Sequence, residues 1–153
     1  MGCDWVAIRN LTTALGVFVG FATTSALFAA YWQRFAPAGP WKPIVTGAST
    51  GSAAVWCTPA VVLLAILMST VSSFCKCTAA IPKCATACSL MTSFMTPLMV
   101  ALAALMVMCI VATLDPEVME NYFFMGGLAG AAVVVMILMG IVAFYANQLV
   151  MCQ

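Results

Sequence analysis

Residues 84–114 read CATACSLMTSFMTPLMVALAALMVMCIVATL, 31 positions without a charge, bounded by Lys83 and Asp115. An ~30 Å hydrocarbon core needs about 20 apolar residues at a rise of roughly 1.5 Å each, so this stretch spells a membrane-spanning helix with turns to spare. On either side the same layout recurs. Lys42 and Lys76 bracket 33 uncharged residues, Arg9 and Arg34 bracket 24, and the 33 residues after Glu120 carry no charge. The nine charges thus divide the 153-residue chain into four candidate spans. The predicted fold class is all-α: a single transmembrane domain over residues 1–153, with antiparallel helices at about 6–32, 44–74, 84–114 and 116–150.

Composition excludes much else. Hydrophobic residues make up 65% of the chain and charged ones 6%, against about a quarter charged in soluble domains, so no separate soluble domain is expected. A net charge of +1 does not provide the clustered basic face that nucleic acid requires. Residues 1–10 hold one acid, Asp4, and one base, Arg9, not the basic n-region of a secretory signal; the first apolar stretch reads as a retained helix. Gly2 and Cys3 open like an acylation signal, but Val6 stands where myristoylation requires Ser or Thr.

Proline marks the connectors and bends. Pro37, Pro40 and Pro43 forbid a continuous helix between the first two spans, while Pro59 and Pro97 fall inside spans two and three and predict kinks there. Asp115, Pro116 and Glu117 read as a helix start, with Asp115 and Glu117 as capping acids and proline at the first helical position. On that reading helices three and four are joined by a very tight turn. Four spans place Arg9, Lys76 and Lys83 on one side and Arg34 and Lys42 on the other, a difference of one base toward a cytoplasmic or matrix N-terminal side.

Three constellations are candidate functional features. Gly16 with Gly20, Gly47 with Gly51, and Gly126 with Gly130 are four apart, the spacing that lets helices in lipid approach closely; the second and third pairs share a leaflet, which predicts contact between helices two and four. Cys75, Cys77, Cys84 and Cys88 form a dense cluster at a membrane boundary, open to disulfide formation, acylation or metal binding, though without the C-x2-C pairs of zinc knuckles. Cys3, Cys57, Cys109 and Cys152 are scattered and read as small apolar residues. Met91, Met95 and Met99, with Met106 near the same face, form a ladder that could carry Cu(I) or simply pack.

Two resemblances bear on these features. Pro40, Trp41, Gly47 and Gly51, together with Asn121, Tyr122, Gly126, Gly127 and Gly130, resemble segments of the four-helix family that includes the mitochondrial inner-membrane translocase channels and an accessory subunit of respiratory complex I; through helix three the glycine spacing departs from it. Met95 and Met99 followed by Gly126 and Gly130 resemble the paired M-x3-M and G-x3-G of copper transporters, at a much longer gap and without a methionine-rich tail.

The chain has no histidine, which removes imidazole catalysis and bis-histidine haem. No charge lies deep inside a span, where a proton or ion pathway usually keeps one. The expectation is therefore a non-catalytic accessory or structural subunit of a large membrane complex, in an energy-transducing membrane such as an organelle inner membrane, mitochondrial or thylakoid. Its partners would be other membrane subunits and lipids, with no catalytic residue, resident metal or cofactor; bound lipid is expected and pigment is left open. The alternatives are a tetraspan organiser with an acylated or disulfide-bonded loop, and a small Cu(I) or solute transporter.

Overall fold

The computed structural model describes residues 3–78 and 80–152. They form four long helices, α1 (Trp5–Phe35), α2 (Trp41–Phe74), α3 (Pro82–Leu114) and α4 (Tyr122–Val150), with 3-10 turns at Cys75–Thr78 and Pro116–Glu120. All four are long and apolar enough to cross a bilayer, and the chain is a multi-pass membrane protein. At 29 to 34 residues and roughly 1.5 Å per residue, each helix overshoots an ~30 Å hydrocarbon core. Arg9, Arg34, Lys42 and Lys83 all fall in those overshooting ends.

The boundaries differ from the sequence reading where proline was read too strictly. Helix α2 starts at Trp41 and contains Pro43 in its first turn, where a backbone N–H has no intrahelical partner to lose. Helix α3 likewise begins on Pro82. Pro59 and Pro97 lie within unbroken helices, and the Thr58 hydroxyl donates to the Ala54 carbonyl at 3.2 Å beside the first of them.

The largest correction concerns the start of α4, expected at Pro116. Pro116 instead opens a 3-10 turn, and the Asp115 side chain makes no capping bond, although its carbonyl accepts from the Val118 N–H at 3.1 Å. Glu117 sits in the first turn of that short helix. The cap of α4 is Asn121, whose Oδ1 accepts from the Phe123 N–H at 2.9 Å. Residues 115–121 thus form a connector rather than a tight turn.

Each helix packs against its neighbours in chain order, and α1 closes the ring against α4. The buried positions recur at alternating steps of four and three: Thr46, Thr50, Ala53, Cys57, Ala60, Leu64, Leu67 and Val71 on α2, and Leu128, Ala132, Val135, Met139, Val142, Ala146 and Leu149 on α4. α3 follows the same rule from Cys84 to Ala112. This is the heptad seam of a left-handed coiled-coil bundle. Outside it, Val17, Phe21, Val62, Ile66, Val100, Val107, Val133 and Ile137 present apolar surface to lipid.

This ring overturns the expected contact between α2 and α4, which stand diagonally opposite. Gly51 faces Thr113 of α3 instead: a Cβ there would stand 3.4 Å from the Thr113 methyl, in ordinary van der Waals contact. A Cβ on Gly47 would stand 3.6 Å from Pro116.

Candidate functional site

The bundle core changes in character along its length. Near the Cys75–Thr78 turn it is built from large side chains, among them Trp5, Ile8, Leu64, Leu67, Met91, Met95 and Leu149. Toward the opposite end α1 and α2 contribute small and hydroxylated residues, Ala22, Thr23, Ala26 and Ala29 with Thr46, Thr50 and Ala53, against Leu105, Met119 and Leu128 from the other side of the ring. The two ends hold their helices by different means.

At the bulky end three disulfides connect all four helices. Cys3, just ahead of α1, bonds Cys77; Cys75 at the end of α2 bonds Cys88 of α3; Cys84 of α3 bonds Cys152, just past α4. Their Cα separations of 6.3, 5.7 and 6.2 Å lie in the range disulfides normally span. Asp4 caps α1 by accepting from the Val6 and Ala7 N–H groups. Trp5 is buried and meets the Phe74 ring edge-on at 5.6 Å.

The cluster singled out in the sequence is thus disulfide-bonded, which leaves none of Cys75, Cys77, Cys84 and Cys88 as a thiolate for metal or a thiol for acylation. Reading Cys3 and Cys152 as inert apolar residues is corrected; Gly2, the other half of the acylation signal, lies outside the described residues. A clue was present in the sequence: with four spans, Cys3, the cysteine-rich connector and Cys152 all emerge on one side. Cys57 and Cys109 remain free and buried in the core. Among the described residues no group of three or more His, Cys, Asp or Glu could hold a metal ion.

The opposite end is held by polar contacts. Thr50 and Thr113 pair through their hydroxyls at 3.0 Å, and Thr46 donates to Gln33 at 3.3 Å and to the Lys42 carbonyl at 2.8 Å. The Trp32 indole N–H donates to the same Lys42 carbonyl at 3.1 Å. Arg34 donates to the Tyr122 hydroxyl at 2.8 Å and lies 5.2 Å from that ring's centroid. Gln33, Arg34, Lys42, Met119, Glu120, Tyr122 and Met125 surround a shallow cleft of about 170 Å³. Glu120 lines it and is exposed, as are Asp115 and Glu117 in the same connector.

Of the remaining predicted residues, Met91 and Met95 are fully buried in the heptad seam and Met99 and Met106 half-buried beside it, a packing arrangement. Gly16 lies against Met139 of α4, 3.9 Å from where its Cβ would be. Gly20, Gly126 and Gly130 are exposed, and a Cβ at any of them would meet nothing within 4 Å. Gly126, Gly130, Val133, Ile137 and Gly140 are exposed and, at helical spacing, form one outward strip of α4.

No family model, curated protein or solved structure matches this chain.

Proposed function

We propose that this protein is a non-catalytic structural subunit of a larger membrane assembly, docking the outward strip of α4 against a helix of another subunit. The observation that carries this reading is the position of Gly126 and Gly130: a close-approach pair whose Cβ positions meet nothing within 4 Å among the described residues. In lipid, association relies on such backbone proximity and van der Waals packing. A continuous apolar core along the bundle supports a scaffold rather than a conduit.

Disulfides persist in oxidising compartments, so we place the end carrying Cys3, Cys77 and Cys152 on that side of the membrane. The one-base difference between the two sides is too small to oppose this. A mitochondrial inner membrane with that end in the intermembrane space, or a thylakoid membrane with it in the lumen, satisfies the requirement, as does a secretory-pathway membrane. The second reading, a tetraspan organiser, draws on the disulfide-bonded connector.

Gly126→Leu with Gly130→Leu tests the leading reading. After gentle solubilisation, the wild-type protein is expected to retain partners at fixed stoichiometry and the variant to lose them while keeping its helicity and disulfides. An unchanged partner set in the variant, or a wild-type protein that emerges alone, would overturn it.

A further inference from the structure

A cleft of about 280 Å³ lies between α3 and α4 at the disulfide-bonded end, lined by Lys83, Thr86, Ala87, Leu90, Phe144, Tyr145, Gln148 and Cys152. Its chemistry is graded along the membrane normal. Helix α3 enters the membrane from this end and α4 returns to it, so Lys83 and Gln148 stand at the mouth. Leu90 and Phe144 lie deeper, Leu90 by ~10 Å at 1.5 Å per residue. Tyr145 is held between them by the Phe94 ring at 6.2 Å and the Phe144 ring at 5.4 Å.

Lys83 makes no ion pair among the described residues, and no side chain caps α3, whose first turn holds this lysine. An ammonium beside the uncapped N-terminus of a 33-residue helix favours an anion at the mouth, while the apolar depth suits a hydrocarbon chain. The Cys84–Cys152 disulfide links the two walls and sets their separation before any ligand arrives.

We propose that this cleft binds one phospholipid with an anionic headgroup, its phosphate at Lys83 and Gln148 and one acyl chain against Leu90 and Phe144. The assignment goes beyond the structural role and does not depend on it, since its test requires no partner subunit. The full chain is reconstituted in phosphatidylcholine nanodiscs containing increasing phosphatidylglycerol, and retained phosphatidylglycerol is counted by native mass spectrometry after release. Losing one charge-assisted contact should raise the phosphatidylglycerol needed for half-occupancy about tenfold in Lys83→Gln. Leu90→Trp fills the exposed slot without removing charge and should also reduce retention. Lys76→Gln, which removes a base at the same end outside the cleft, should leave it at the wild-type level. Equal loss in Lys76→Gln would mean diffuse surface attraction, undiminished retention in Leu90→Trp a bare anion site, and undiminished retention in Lys83→Gln no site at all; each overturns the proposal.

Discussion

The two ends of this bundle solve the same problem with different chemistry. Helices in lipid gain little from hydrophobic exclusion, because the surrounding acyl chains are as apolar as leucine. At one end the helices approach across Ala, Gly and Thr, and hydroxyl pairs such as Thr50 with Thr113 join them. At the other, bulky Trp5, Leu64 and Met95 fill the core and covalent bonds hold the helix ends. The small faces of α1 and α2 bring backbones close at the first end, while sulfur restrains the second.

Replacing all six bonded cysteines with serine tests that contrast hardest. Cross-links closing 68 and 74 residues contribute about 4 kcal/mol each in the chain-entropy model. Membrane-inserted helices already confine the unfolded chain, so this is an upper bound. A fall in Tm of about 10 °C or more is expected from thermal melts in detergent; an unchanged Tm would show that packing alone holds the bulky end.

Gly51→Leu attacks the small-residue end, where even a Cβ would already touch Thr113. A loss of about 1–3 kcal/mol is expected, read from unfolding in mixed micelles, whereas Leu at Gly126 should leave the isolated chain's stability unchanged. Equal effects at the two glycines would erase the distinction between inward and outward faces.

The connector at the small-residue end provides a finer test. Asn121→Ala removes the observed cap of α4 and should cost about 1 kcal/mol; Asp115→Ala, which removes no capping bond, should cost close to nothing in the same assay. The smallest effect belongs to the threonine pair. A double-mutant cycle of Thr50→Val and Thr113→Val should give a coupling of about 0.6 kcal/mol, and zero coupling would assign that contact to shape alone.

Much of the architecture was legible because the nine charges sit only at helix ends or connectors. The inward faces were not: α3 is apolar nearly all round, so periodicity cannot distinguish core from lipid in it. Gly126 and Gly130 announced a close-approach face without stating whether its partner was inside the chain. Asp115 carried a strong capping signature, but Asn121, six residues later, does the capping. Cysteine spacing revealed a crowded boundary, while the partners of Cys77 and Cys84 came from positions 3 and 152, which only the closed ring brings near.

The disulfide pattern also governs how a nicked molecule would behave. Cleavage within 36–40 and again within 115–121 would produce three fragments, yet Cys3–Cys77 ties the first to the second and Cys84–Cys152 ties the second to the third. Such a protein would migrate as one species on a non-reducing gel and separate into three only after a reductant is added.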